Sequence, residues 1–308
     1  MTAVIRVAAA QLAPVFLDAA ATTAKACDAI LEAGRNGARL VALPETLIPV
    51  YPYWAAKLDA WTFRERFDRR YFEQAVAVPG PITKQLGEAA KRAECHAVVG
   101  VTERDGGTLF NTQVFIGPDG EMIGKRRKLV PTRFERMIWG RGDGTDLQVF
   151  STEIGVLGGL ICFEHTNALY RYALQAQGEQ IHVASWPGGG LPSAANIDAA
   201  IRHYAFEAQA FVVNSTALLT DEIIAGLGSG GTVHTFAAGG GYSAIVGPSG
   251  NYIAGPETDR EGLLYGDLDM ALIGERKMWV DSAGHYARPD VVRLVVNRRR
   301  QSPIEFED

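Results

Sequence analysis

Cysteine is scarce in this sequence: Cys27, Cys95 and Cys162 are the only three in 308 residues. An odd number this sparse excludes a disulfide framework, and none of them shows the paired spacing of a zinc site. A reducing cytoplasm is the expected setting. Nowhere do eighteen consecutive apolar residues occur, so no membrane-spanning helix is expected. The apolar opening, residues 1–10, is interrupted by Arg6 and followed by Gln11 and Asp18, which suits a buried strand better than a secretory signal. A large excess of charge is also missing. The net charge is −5, and apart from 125–128 and 298–300 the basic residues are scattered, so nucleic acid is not an expected partner.

Other absences narrow the chemistry. No His-Glu-x-x-His occurs, and His165, His182, His203, His234 and His285 lack metal-ligand spacing, so no metal is expected. No Gly-x-Ser-x-Gly lies between strand and helix, which sets aside a serine triad. Gly228-Ser229-Gly230-Gly231 is no phosphate loop, because no Lys-Ser/Thr follows it; the glycine-rich stretch 226–241 reads as a flexible loop over or beside a site.

What is present is core. With 47% of residues hydrophobic and 21% charged, the chain can bury one large core without disulfide or metal, so one domain over 1–308 is expected. Apolar β-rich runs at 5–11, 40–43, 96–102, 154–161, 182–185 and 211–214 alternate with helical stretches at 18–33, 81–93, 169–177 and 197–209. Two similar strand–turn–strand units surround Gly117-Pro118-Asp119-Gly120 and Gly247-Pro248-Ser249-Gly250. A barrel would use many of the same elements. Strands that both alternate with helices and pair in hairpins favour a mixed α/β fold in four layers, an α-β-β-α sandwich.

Three side chains stand where apolar runs end. Cys162 closes the run 155–161, directly before the polar Glu164 and His165. A thiol on such a strand-to-turn bend is exposed at the sheet's end, and the N–H of Phe163 can point at a developing charge. A small buried hydrophobe would occupy the same position equally well. Cys27 and Cys95, in or beside helices, are expected to pack. Glu45 ends the strand leading into Leu43-Pro44; partial burial would raise its pKa toward that of a general base, while a surface or capping role is the plain alternative. Lys128 closes Lys125-Arg126-Arg127-Lys128 and precedes an apolar stretch, so it is expected to face the core while the other three form a solvated face. Its ammonium would lower the thiol pKa and stabilise charge on a substrate, a contribution of roughly 3 kcal/mol for one well-placed donor. Glu135 follows seven residues later, with Pro131 between them arguing for a loop, so spacing alone leaves open whether the two meet.

Glu45, Lys128 and Cys162, in that order, make the sequence resemble the nitrilase superfamily, and within it the true nitrilases. The segments that carry the resemblance span nearly the whole chain: Leu43-Pro-Glu-Thr46 with Tyr51-Pro-Tyr-Trp54, Arg127-Lys-Leu-Val-Pro-Thr132, the run 135–144, Gly159-Leu-Ile-Cys-Phe-Glu164, the run 171–182, Ser185-Trp-Pro187 and the run 284–290. The resemblance implies the α-β-β-α fold, a Glu–Lys–Cys triad, and a second glutamate, Glu135, that orients the lysine and the substrate. It implies no cofactor. Tyr51, Thr132, Trp139, Phe163, Trp186 and Pro187 become candidates for the pocket wall, although each aromatic among them would serve equally as core; such a wall would suit an arylaliphatic or medium-sized nitrile. Glu164 and the run 285–290 resemble nitrilases more than amidases. Phe163 departs from the Trp usual after the nucleophile, and Asn167-Ala168 lacks a proline often seen there, which bears on pocket shape rather than on reaction type.

The expected reaction is hydrolysis of an organic nitrile to the carboxylic acid and ammonia through a thioimidate and thioester on Cys162. Two alternatives are an amidase or carbamoyl-amide hydrolase on the same triad and a non-catalytic assembly scaffold. At least a homodimer is expected, with a spiral as the larger possibility and 284–308 as a C-terminal extension used in assembly.

Overall fold

Short apolar runs between polar turns become strands, and each helix between them packs one apolar face back onto the sheet. The computed structural model describes residues 4–228, 236–302 and 304. The first sheet starts with β1 (Val4–Gln11), β2 (Leu40–Ala42), β3 (His96–Asp105), β4 (Thr108–Ile116) and β5 (Met122–Arg127). The second holds β6 (Phe150–Thr152), β7 (Gly155–Ile161), β8 (Ile181–Trp186), β9 (Phe211–Thr216), β10 (Ser243–Val246) and β11 (Tyr252–Glu257). The chain then returns to the first sheet as β12 (Gly262–Asp269), giving the orders β12-β1-β2-β3-β4-β5 and β11-β10-β9-β8-β7-β6.

Each sheet is parallel at its centre and antiparallel at its edges. Helices α1 (Ala19–Arg35) and α2 (Pro81–Ala93) carry the parallel crossovers β1–β2 and β2–β3; α3 (Ala168–Gln175) and α4 (Ala194–Ala208) do the same for β7–β8 and β8–β9. Local chemistry starts these helices. Asp18 accepts from Ala21 N–H at 2.9 Å ahead of α1, Pro81 opens α2, and Asn167 and Ser193 cap α3 and α4. Gly34 lets α1 and α2 meet closely, since a Cβ there would fall 2.4 Å from the Ala93 carbonyl oxygen.

Strand alternation sorts side chains into layers. Val7, Ala9, Leu40 and Ala42 of the first sheet face Leu157, Ile181, Val183, Phe211 and Val213 of the second, while Ala8, Ala10, Val41 and Val99 turn outward onto α1 and α2. Leu160, Ala184 and Val212 pack under Ile197, Ile201 and Tyr204 of α4. Each buried Val, Leu or Ile among them stabilises by about 1.5–3 kcal/mol. The result is the expected four-layer α-β-β-α sandwich, with both anticipated hairpins present as β4–β5 and β10–β11.

Some elements were not expected. β6 is three residues long, and the helical turns Trp54–Lys57, Ala60–Phe63 and Arg69–Gln74 are too short to show a period. Within the glycine-rich stretch, Gly226 belongs to the helix Asp221–Leu227, while 229–235, with Ser229 and His234, lie outside the described residues. The segment 284–302 forms neither helix nor strand; Leu294 and Val296 pack against Leu129 and Leu147, leaving Val291, Val292 and Val295 exposed. Among the described residues no helix is long and apolar enough to cross a membrane.

Candidate active site

The carboxyl ends of β2 and β5 in the first sheet and of β7 in the second converge on one buried cluster. Glu45 stands three residues past β2, on a turn that Gly100 of β3 permits: a Cβ at Gly100 would fall 2.1 Å from the Pro44 carbonyl oxygen and 2.8 Å from the Glu45 Cα. Lys128 follows β5 directly, and its N–H is held by the Asn111 carbonyl at 2.7 Å. Cys162 follows β7 in a left-handed conformation, φ 53°, a strained placement for a residue with a Cβ and the geometry of a nucleophile elbow. All three are buried, with 1–2% of their surface exposed.

The Lys128 ammonium sits between two carboxylates. Its Nζ is 2.9 Å from Glu45 Oε1, and 3.1 and 2.8 Å from Glu135 Oε1 and Oε2. The loop that Pro131 predicts is there, and a short helical turn, Arg133–Met137, swings Glu135 back to the lysine. Glu135 is further fixed by the Tyr51 hydroxyl, donating at 2.6 Å, and by the Thr132 N–H at 2.6 Å. Asn111 Nδ2 donates to Glu45 Oε1 at 2.6 Å, while Glu45 Oε2 is buried with no partner among the described residues. One carboxylate is thus saturated and the other keeps an oxygen free to take a proton.

The charges follow from this packing. Burial raises the Glu45 pKa to about 7, with Lys128 pulling it down and Glu135 pushing it up. Burial opposes the charge on Lys128, but Glu135 and Glu45 outweigh it and hold the ammonium protonated. Burial, then Glu45, push the Cys162 thiol well above its ordinary value; Lys128 and the Phe163 N–H pull it down without prevailing. The ammonium thus acts on the thiol in the expected direction, but burial and Glu45 outweigh it: the resting group is a thiol, and it needs a base.

Arg126 does correct an expectation. Instead of lying on a solvated face it is completely buried, and its guanidinium grips Glu164 through two bonds, Nη1 to Oε2 at 2.7 Å and Nη2 to Oε1 at 3.0 Å. Glu164 also accepts from the N–H groups of Leu129 and Ile161, each at 2.8 Å. It therefore ties the residue after Lys128 to the residue before Cys162, across the two sheets. Burial alone would raise the Glu164 pKa, but Arg126 and these N–H groups hold it below the usual carboxylate range. Lys125 and Arg127 take the other face of β5 and pair with Glu103.

The proposed pocket residues divide. Tyr51 and Trp139 pack edge to face, ring centres 5.6 Å apart, beside Glu135. Thr132 reaches Glu135 by its backbone. The Pro187 carbonyl accepts from the hydroxyl of Tyr53, which with Trp54 and Phe236 extends the same aromatic cluster. Trp186 is turned into the layer beneath α4, donating to Asn214 Oδ1 at 2.6 Å, and meets the edge of Phe163 at 6.3 Å between ring centres. Cys27 and Cys95 pack in the layer around α1 and α2. Among the described residues no group of three or more His, Cys, Asp and Glu is placed to hold a metal ion. Sequence reading passed over Asn111 and Tyr53. Asn111 did have a signal: with Gln113 it places amide side chains at alternate positions of a buried strand, both facing the interior, where Gln113 reaches Ser185 at 2.9 Å.

Residues 6–278 match the sequence profile described as Carbon-nitrogen hydrolase. A nitrilase of Paraburkholderia phymatum is 45% identical over 303 residues, covering 98% of this chain and 89% of that protein. An aliphatic nitrilase of Rhodococcus rhodochrous is 41% identical, covering 98% of this chain and 85% of its own length. Among solved structures, the C. elegans NitFhit protein superposes with a TM-score of 0.77 at 18% identity, covering 98% of this chain and 69% of that one, a likeness of fold.

Proposed function

From the premise that this chain belongs to the carbon–nitrogen hydrolase family, we propose that Cys162 is the nucleophile, Glu45 the general base, Lys128 the cationic stabiliser and Glu135 the group that orients the lysine. The enzyme hydrolyses nitriles, as the nitrilases that it resembles over nearly their full length indicate. The observation that carries the assignment of roles is the lysine held between two carboxylates, one with an oxygen that has no partner among the described residues, beside a thiol on a left-handed turn.

In the proposed sequence Glu45 takes the thiol proton as Cys162 sulfur adds to the nitrile carbon, and the nitrogen takes up that proton to give a thioimidate. Lys128 and the Phe163 N–H stabilise charge on that nitrogen. A water, deprotonated by Glu45, adds to the same carbon; the nitrogen leaves protonated as ammonia and a thioester remains. A second water cleaves the thioester to the carboxylic acid and returns the thiol. Expulsion of sulfur from the tetrahedral adduct instead of ammonia would release the amide. Tyr51, Thr132, Trp139, Phe163, Trp186 and Pro187 are proposed to shape the surroundings of the nitrile.

Ammonia release from a panel of nitriles and their matching amides, with acid and amide products measured, tests this reading. Faster release from the amides would make the enzyme an amidase on the same residues. With Glu45 at about 7, kcat/KM for the nitrile should rise with pH by about one log unit per pH unit below that value and level off above it. Glu45→Gln should lose nearly all activity; a profile of unchanged shape and height in that variant would remove Glu45 from the base role.

Assembly is proposed to use the segment 284–308, whose Val291, Val292 and Val295 are exposed. Light scattering of the full chain and of one ending at residue 283 would test this, a homodimer or larger being expected only of the former. The three free cysteines suit a reducing cytoplasm, a location that cell fractionation tests.

A further inference from the structure

Beside the Cys162 turn lies a chain of buried polar groups that the reaction above does not use. His165 Nδ1 is 2.7 Å from the Cys162 carbonyl oxygen, His165 Nε2 is 3.0 Å from His182 Nε2, and His182 Nδ1 is 2.8 Å from Glu179 Oε1. The Tyr204 hydroxyl donates to Glu179 Oε2. His182 and Glu179 are fully buried, and His165 is 3% exposed. Four segments supply these groups: His165 comes from the turn after β7, Glu179 from the loop before β8, His182 from β8 and Tyr204 from α4. Room is made for them. Gly158 of β7 carries no Cβ where one would fall 2.0 Å from Glu179 Oε1. Trp186 stacks on His165 at 5.0 Å, Tyr204 stacks on His182 at 3.7 Å, and Arg171 Nη1 donates to the His165 carbonyl at 2.7 Å.

Proton bookkeeping along this chain has few solutions. A carbonyl oxygen only accepts, so His165 Nδ1 must carry hydrogen. One of the two facing Nε2 atoms must donate to the other. If His165 is neutral, His182 donates; its Nδ1 then meets Glu179 either as acceptor from a protonated carboxyl or as donor to a carboxylate. If His165 were cationic, His182 would accept and would donate from Nδ1 to the carboxylate. All three arrangements contain the same number of protons and sum to zero charge. They differ only in where one proton rests, and in each the His165 Nδ1–H stays on the Cys162 carbonyl. Burial, His182, and the nearby Arg126 and Arg171 disfavour a cation on His165, which favours the neutral form. Glu164 and Glu207, the other charged groups around the turn, are themselves paired with Arg126 and Arg171.

We propose that Glu179, His182 and His165, anchored by Tyr204, are positioning residues that lock the Cys162 carbonyl and so hold the left-handed turn that aims the thiol and the Phe163 N–H. The proposal rests on Cys162 being the nucleophile. A carbonyl at residue 162 that is free to rotate carries the next peptide N–H with it, because both belong to one planar unit. Loss of the lock therefore misdirects the group that stabilises charge on the substrate, while the pocket that binds substrate is left in place. The effect falls on kcat rather than on KM.

The test compares His165→Leu with His165→Asn in the full-length enzyme. The Asn amide nitrogen can take the place of Nδ1 and donate to the same carbonyl, whereas Leu fills space without a donor. His165→Leu should lower kcat by about 10- to 100-fold with KM little changed, and His165→Asn should recover most of the loss. Glu179→Gln against Glu179→Leu forms a second pair, because the Gln amide can donate to a neutral His182 and accept from Tyr204. Equal activity in Leu and wild type, or equal loss in Leu and Asn, would overturn the proposal. Nitrogen NMR of the histidine-labelled wild type gives a reading that needs no folded variant: His165 should bear hydrogen on Nδ1, and a hydrogen on Nε2 alone would overturn it. That spectrum is independent of which residue attacks the substrate, so failure of the nucleophile assignment, seen as retained turnover in Cys162→Ala, is distinguishable from failure of the lock.

Discussion

Cys162→Ala is expected to abolish ammonia release from nitriles and amides alike, by on the order of 10⁴-fold or more, while the protein still folds. The covalent route needs sulfur, and no other group of the cluster can replace it: Lys128 is held protonated by two carboxylates, and Glu135 has both oxygens occupied. The structural cost is small. Removing one sulfur from the layer under α4 leaves a cavity about the size of a methyl group, a loss of about 1 kcal/mol, and alanine meets the same left-handed strain as cysteine. Steady-state kinetics together with thermal unfolding measure both quantities. Unchanged turnover in the folded variant would remove Cys162 as nucleophile, and if no substrate distinguished it from wild type the chain would be a scaffold rather than an enzyme.

Lys128→Met is expected to lose activity and, unlike Cys162→Ala, a large part of the stability. Methionine fills a similar volume, but the change leaves Glu45 and Glu135 buried at close range with no cation between them. Breaking a buried pair in this way costs roughly 3–5 kcal/mol. For a chain of this size that is a fall of roughly 10 °C in melting temperature. The loss also depends on pH in a defined sense. The Glu45 pKa is already raised to about 7 by burial, and removal of the ammonium raises it further. A carboxyl whose folded-state pKa lies above its unfolded value contributes fully below the unfolded value and loses that contribution as pH rises through the folded one. The difference in melting temperature between variant and wild type should therefore be smallest near pH 5 and widen to pH 8. An equal difference at both ends would show that Lys128 stabilises by packing and not by charge.

The three basic residues before Lys128 show how much of the site could be read along the chain. Lys125, Arg126 and Arg127 look alike as a cluster, and clusters of cations are usually solvated. Strand period separates them. Residues 126 and 128 share one face of β5 and its continuation, and 125 and 127 the other, so the alternation that sorts apolar residues sorts these cations too. Arg126 meets Glu164 in the interior, and Lys125 and Arg127 meet Glu103. Asn111 was legible by the same rule. Glu164 was visible only as a residue type beside Cys162; that it binds Arg126, Leu129 and Ile161 at once follows from the closeness of two sheets that are far apart in sequence. The meeting of Lys128 with Glu135 across Pro131 depends on a five-residue helical turn with no periodic signature.

By itself the sequence indicated most of the strand and helix succession, though not β6, β12 or the short helices; it favoured four layers over a barrel, and it marked the three residues standing where apolar runs end. It could do so because periodicity, capping and turn chemistry act over a few residues, and because a polar side chain that interrupts an apolar run must either reach water or find a partner. Only the tertiary structure decided what those partners are. The protonated state of the Cys162 thiol, the raised pKa of Glu45 and the neutral chain from Glu179 to the Cys162 carbonyl depend on charge, burial and hydrogen bonding between groups up to 117 residues apart, Glu45 to Cys162 being the longest of these separations. Interactions of that kind vary over an ångström or two, a distance that no spacing along a chain specifies.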